Sequence, residues 1–491
     1  MGESYRDRTF FLFIGFSGML CLTYSLIFRP VTYEAQGDFP AYLDLARQIF
    51  HLPGATDTDL SHRSPLYPLI MGFFMLLFGE AHYLVPLIGF QYFLIFVSSL
   101  LVYRIILNLT GQRLTAFIAG IAGLLNLATI FFGYMVLTET LALFLFNLTA
   151  WLLLKYVQDK GRAVAFAAGL VTGLLILARF NMLGFPVVVI AILLVVFFLG
   201  ALKADALKIL TDLSMFAAGA AVILNMWAFR NYIETGRYEL IPRHHLGTRW
   251  AVPATINYGD EVTDEYEPVL KIFLKTRANL LENEHNRVYR KGSLMENGFI
   301  RRMNNNFRPA VSGYLMYRDS EDELLAFYGL SGDPEGIRIL SEKLKPFYNQ
   351  IAVLHKTELK RFRIYSLLYT FKHISPTLPG NESTNLNMLP SPFHRAYKIL
   401  FMAVIIFAYA GSVLHMIWMV SKPGRIRNSL TWIIIYGAAW YFPAVNLYAN
   451  VLGDANRFRY PADLILIGLA VSYICFMLRA KKAIPASAAG E

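Results

Sequence analysis

Apolar runs, most of them long enough to cross a lipid bilayer, recur along this chain, near residues 10–28, 65–79, 82–107, 114–134, 137–157, 163–179, 182–201, 206–229, 397–420, 430–450 and 460–479. Inside hydrocarbon there is no water to bond the backbone, so each run must satisfy its own amide groups, which a helix does within one segment. The pattern predicts an all-α polytopic membrane protein. Only 16% of residues are charged, against roughly 25% in soluble domains. The first run follows Arg6 and Arg8 and shows no small-residue cleavage site before Arg29-Pro30, so it reads as a retained span and not a signal peptide. Cys21 and Cys475 lie in apolar runs and imply neither a disulfide framework nor a cysteine metal site. The formal net charge of +11 is spread along the chain with no compact basic domain, so it points to topology and lipid phosphates and not to nucleic acid.

Lysine and arginine mark the cytoplasmic side of short loops. Basic connections fall at 104–113, 155–162, 203–208 and 422–427 and in the tail at 479–482. If every run crossed, the first three of these would land outside. The run 65–79 is short and carries Pro65 and Pro68, so it is the one expected to be re-entrant or interfacial. Omitting it restores consistent sidedness and leaves about ten full spans, in a bundle of about 10–11 helices. The expected organisation is an N-terminal membrane module over 1–229 with a first outer loop at 29–81, an outer-face helical loop domain over 230–396, and C-terminal membrane helices over 397–491.

This topology gathers the fixed polar groups on one face. Asp38 precedes Pro40, where it can cap a helix whose apolar face is read as Leu43, Ala46, Ile49 and Phe50. His62-Arg63-Ser64-Pro65-Leu66-Tyr67-Pro68 leads into the half-span, and Arg63 either snorkels to the interface or binds phosphate. Glu139 opens one run, and Arg179 with Asn181 closes another. Ionisable groups at span ends are either solvated there or face a polar cavity, and sharing one side favours the cavity. Trp227, Arg230, Asn231 and Tyr232 end the eighth run. Arg457-Phe458-Arg459-Tyr460-Pro461 precedes the last, with two arginines on the side that topology usually leaves poor in them. In the long loop, Asp333-Pro334-Glu335 reads as a helix start and 336–374 as helical with a break at Pro346. The lysines and arginines of that stretch read best as a solvated face, and 375–392 as a Pro-rich loop back to the membrane.

Four of these signatures together resemble the GT-C superfamily of polyprenyl-phosphate-sugar-dependent glycosyltransferases, near the protein O-mannosyltransferase and lipid A aminoarabinose transferase branch. They are Gly37-Asp38 with Tyr42 and Ala46; Arg63-Ser64-Pro65-Leu66-Tyr67-Pro68 before Leu77-Phe78-Gly79; Trp227 with Arg230-Asn231; and Arg457-Phe458-Arg459-Tyr460-Pro461. The resemblance covers the first 240 residues and about the last 100 in order, and the loop 240–396 matches no named family. It implies a GT-C-type helical bundle and an inverting transfer, with Asp38 as active-site carboxylate and arginines on the donor phosphate. Many relatives carry a second acidic residue beside the first; here the neighbours are Gly37 and Phe39, with Glu34, Asp44 and Glu139 as substitutes and Glu139 the best placed.

The expected activity is transfer of a sugar from a polyprenyl-phosphate donor to a hydroxyl of a glycan, lipid or protein. Asp38 would be the general base, with Glu139 as second carboxylate. Arg63, Arg230, Arg457 and Arg459 would hold the donor phosphate. Tyr42, His62, Tyr67, Arg179, Asn181, Asn231 and Tyr460 would line the substrate site. A divalent metal is compatible with this chemistry, but no close His, Asp and Glu spacing calls for one. The expected setting is a multi-pass integral membrane protein, as in a bacterial inner membrane, with its site facing the periplasm. Alternatives are an O-antigen polymerase or ligase using a diphosphate carrier, and a flippase or transporter. Transport would favour midplane charges and internal repeats, and neither stands out.

Overall fold

Each of the eleven apolar runs contains a helix. The structure, a computed structural model, describes residues 4–28, 38–55, 63–159, 161–198, 206–236, 238–240, 251–256, 258–282, 313–333, 336–357, 359–360, 367, 370–371, 391–421, 429–449 and 459–482. The membrane module begins with α1 (Ser4–Ile27), α2 (Phe39–Phe50), α3 (Leu66–Phe78), α4 (Leu84–Thr110), α5 (Arg113–Leu124) and α6 (Leu127–Tyr134). It continues with α7 (Glu139–Asp159), α8 (Arg162–Ala178), α9 (Phe185–Phe198) and α10 (Ala206–Thr235). Among the described residues of the long loop four helices follow: α11 (Ala251–Thr255), α12 (Glu267–Glu282), α13 (Gly313–Phe327) and α14 (Gly336–Leu354). The chain closes with α15 (Ser391–Val420), α16 (Leu430–Ala449) and α17 (Asp463–Lys482).

Aromatic contacts set α1 antiparallel to α4. Phe10 and Phe13 meet Tyr103, and the Arg104 guanidinium lies 4.1 Å over the Phe10 ring, whereas Tyr24 meets Tyr92. The start of α1 and the end of α4 therefore share one side, and the connection between them begins and ends on the other. That connection holds α3. At thirteen residues, α3 is about 20 Å long against about 30 Å of hydrocarbon. Its Tyr67 bonds to Gln91 and its Phe74 packs on Phe90, so α3 lies beside the first third of α4. At that length α3 counts among the shorter apolar helices and not the span-length ones.

Among the described residues six helices are long and apolar enough to cross a membrane, seven if the bent pair α5–α6 counts as one span, with α3, α8 and 180–194 as shorter apolar helices. The run 114–134, expected as one span, is broken by 52° between α5 and α6. Asn126 causes the break, since its side chain caps α6 by accepting from the Ala128 N–H at 3.2 Å. Tyr397 of α15 pins the same corner, accepting from the Leu127 N–H at 2.5 Å and donating to Asn126 at 3.2 Å. Elsewhere the bundle closes through glycine. A Cβ on Gly169 of α8 would stand 2.0 Å from the Phe216 carbonyl of α10, and one on Gly219 would stand 2.3 Å from the Phe166 carbonyl. Small residues at such crossings let helix backbones touch.

The outer loop carries its own apolar core, built from Val252, Phe273, Met316, Leu324, Leu344, Phe347 and Ile351 among others. Here Pro346 does not break the helix: α14 runs through it. An internal proline costs about 3 kcal/mol, and the complete burial of Leu344, Phe347 and Ile351 on either side offsets that, at about 1.5–3 kcal/mol for each large side chain. The Pro-rich stretch 375–392 falls outside the described residues but for 391 and 392, which begin α15.

Candidate functional site

Asp38 stands at the head of α2 with helical backbone angles, φ −71° and ψ −14°, and its side chain makes no capping bond. The expected cap gives way to a tertiary contact, in which Arg63 Nη1 donates to Asp38 Oδ1 at 2.7 Å. A capping residue needs non-helical backbone angles; with helical ones, Asp38 gives its carboxylate to the guanidinium instead. The buried face of α2 is Phe39, Tyr42, Leu45 and Ala46, rotated from the expected set. That face packs on α3: the Tyr42 and Tyr67 rings meet edge to face at 5.8 Å, and Phe50 covers Gly72. Arg47 of α2 pairs at 3.0 Å with Glu80 in the turn after α3.

The residue after Arg63 ties this pair to a second one. Ser64 Oγ accepts from the Phe180 N–H at 3.1 Å. Phe180 directly follows Arg179, which leaves α8 in an extended conformation and turns its side chain to Glu139. The Arg179–Glu139 pair measures 3.3 Å and is buried, with side chains 7% and 0% exposed. Glu139 is the first residue of α7, where the positive end of the helix dipole favours a carboxylate. The Asp38–Arg63 pair is more open, at 26% and 22% exposed. One ion pair is thus sealed and the other is accessible, and the Ser64–Phe180 hydrogen bond joins the segments that carry them.

Behind them lies a polar wall. Tyr67 donates to Gln91 Oε1 at 3.2 Å, and Gln91 Nε2 donates to the Gly133 and Met135 carbonyls at 3.2 and 2.9 Å. Tyr460 packs on Phe132 at 4.6 Å between ring centroids, and Thr140 donates to the Phe132 carbonyl at 2.8 Å. Tyr67 and Tyr460 both lie close enough to Glu139 to interact with it electrostatically. Tyr42, Tyr67 and Tyr460 are all buried, so they position the site and do not present a surface to a ligand. Burial pushes the hydroxyl of Tyr83, in the turn before α4, up to about 12.

The other expected residues sit apart or face inward. Asn181 contributes its carbonyl, which accepts from Tyr441 at 2.5 Å. Arg230 is half-buried, 5.0 Å over the Trp227 ring, and donates to Asn231 Oδ1 at 3.4 Å; Asn231 in turn donates to the Glu239 carbonyl at 2.9 Å. Arg459, expected to bind phosphate, is wholly buried. It donates to both Asp463 oxygens, at 2.6 and 3.1 Å, and to the Thr370 carbonyl. With Asn446 donating to Thr370 Oγ1 at 2.8 Å, Arg459 anchors the end of the outer loop to α16 and α17. His62 and Arg457 lie outside the described residues. Reading the sequence missed Ser64 as a bridge, Gln91 as a hub and Asp463 as the partner of Arg459. The i, i+4 spacing signals only the last of these.

Among the described residues no group of three His, Cys, Asp or Glu side chains could hold a metal ion. Fold and site define a multi-pass helical membrane protein with linked carboxylate–arginine pairs at the boundary opposite its basic loops. No family model and no curated protein matches the sequence. Among solved structures the chain is similar to the archaeal oligosaccharyltransferase AglB from Archaeoglobus fulgidus, in complex with an inhibitory peptide and a dolichol-phosphate. That match has 12% identity over 97% of this chain and 52% of that chain, with a TM-score of 0.48. It is also similar to ArnT from Cupriavidus metallidurans bound to undecaprenyl phosphate, with 16% identity over 95% of this chain and 78% of that chain and a TM-score of 0.38. The chain spans about half the length of the oligosaccharyltransferase. At these identities and scores the likeness is one of chain course, and function has to be read from the residues themselves.

Proposed function

We propose that this protein is a membrane glycosyltransferase that moves a sugar from a polyprenyl-phosphate donor to an acceptor hydroxyl at the non-cytoplasmic membrane boundary, with inversion. The observation that carries this reading is the accessible Asp38–Arg63 contact at 2.7 Å. It sets a candidate base and a candidate phosphate ligand side by side where a lipid-borne phosphate would lie. Asp38 accepts the acceptor's hydroxyl proton as that oxygen attacks the anomeric carbon. The bond from that carbon to the phosphate oxygen breaks on the opposite face, and the electron pair leaves with the polyprenyl phosphate. Negative charge grows on the phosphate in the transition state, so a fixed guanidinium there stabilises it differentially. Arg63 takes that role first, and Arg230, half-buried at the outer end of α10, is the second candidate. The buried Arg179–Glu139 pair holds the backbone beneath them. In a bacterial cell the site would face the periplasm.

The test is transfer by the purified protein in lipid, comparing sugar donors on polyprenyl monophosphate and on polyprenyl diphosphate. The reading predicts turnover with the monophosphate. Turnover only with the diphosphate would favour a polymerase or ligase, and vectorial movement of the donor without transfer would favour a flippase.

A further inference from the structure

Arg63 cannot serve two anions in the same way at once. Its Nη1 already donates to Asp38 at 2.7 Å. Its backbone has little freedom, since Ser64 is bonded to the Phe180 N–H and Pro65 begins the turn into α3. A carboxylate and a phosphate sharing one guanidinium would also repel each other. A carboxylate that accepts a charge-assisted bond is a weaker base than one without it. A phosphate, with three acceptor oxygens, competes well for guanidinium.

We propose that the Asp38–Arg63 contact is a donor-operated latch: the lipid phosphate draws Arg63 away from Asp38, and this exchange frees Asp38 to act as base. This rests on the function proposed above and adds an order to it. Without donor the base is held by its neighbour; with donor bound, the same arginine sits on the leaving group and the carboxylate turns to the acceptor. Donor binding therefore precedes productive acceptor binding, and the resting site does not activate water against a donor that is only partly seated. The two pairs differ in burial in the way this requires. The sealed Arg179–Glu139 pair stays in place, while the pair that must open is the one about a quarter exposed.

Exchange makes a testable link between a base and a binding affinity. The probe is unglycosylated polyprenyl monophosphate, with polyprenol lacking the phosphate as the reference for the lipid groove. The measurement is equilibrium binding to the full chain in lipid nanodiscs. Removing the carboxylate in Asp38→Asn or Asp38→Ala frees Arg63 in advance, so affinity for the phosphate should rise about fivefold, the order set by a partly exposed ion pair. In an Arg63→Gln background the same Asp38 substitutions should have no effect. Affinity unchanged or weakened in both Asp38 variants would overturn the latch. So would an equal rise with and without Arg63, since that is plain repulsion between Asp38 and the phosphate. If the unaltered protein bound the monophosphate no better than polyprenol, the proposed function itself would fall. Unchanged polyprenol binding in the variants shows that the groove is intact.

Discussion

The buried Arg179–Glu139 pair allows a perturbation whose size follows from burial. Arg179→Met keeps an unbranched apolar stem but removes the guanidinium 3.3 Å from a carboxylate that is 0% exposed. Losing one member of a buried ion pair costs about 3–5 kcal/mol, because the other charge stays out of water without it. Glu139→Met should cost a similar amount. The double substitution Glu139→Met/Arg179→Met removes both charges, and such replacements are often neutral or better, so it should recover most of the loss. The assay is equilibrium unfolding in mixed detergent micelles titrated with sodium dodecyl sulfate, read by tryptophan fluorescence. Single variants costing under about 1 kcal/mol, the range of exposed pairs, would show that Glu139 is solvated and that the site is open where it is described here as sealed. Purely additive costs in the double variant would show that the two residues do not act as a pair.

Asp38→Asn should leave the protein folded and inserted while lowering turnover from a polyprenyl-monophosphate donor about 10²–10⁴-fold, the usual contribution of a general base; near-complete activity would remove Asp38 from the mechanism. Arg459→Lys should lose about 1.5–3 kcal/mol of stability as a charge-assisted bond to Asp463 is lost, with donor KM per folded molecule unchanged; a raised KM would return Arg459 to the phosphate site. Gly169→Leu should abolish monodisperse protein in detergent, because a Cβ there meets the Phe216 carbonyl at 2.0 Å, whereas Gly15→Leu, with no atom within 4 Å, should be tolerated.

The helices were legible because span-length apolar runs leave a backbone in lipid no other way to bond itself. The shortness of α3 could be read as well, from the length and prolines of the run 65–79. The break at Asn126 was not, although a polar capping residue within an apolar run was its one visible sign. Asp38 shows the limit of local reasoning. Its position before Pro40 fits a cap, yet its carboxylate goes to Arg63, 25 residues away. Composition put four arginines on one face without saying which of them are exposed. Burial separates Arg63 at 22% exposed from Arg459 at 0%, and only the packing of α16, α17 and Thr370 produces that difference.

The most direct test is an experimental structure of the protein in lipid with polyprenyl monophosphate bound. The phosphate should lie at the boundary opposite the basic loops, with an oxygen about 2.7–2.9 Å from the Arg63 guanidinium and Asp38 turned toward open space beside it. A phosphate bound on the side of Arg104 and Arg162, or an Asp38–Arg63 pair left intact and remote from the ligand, would contradict the account.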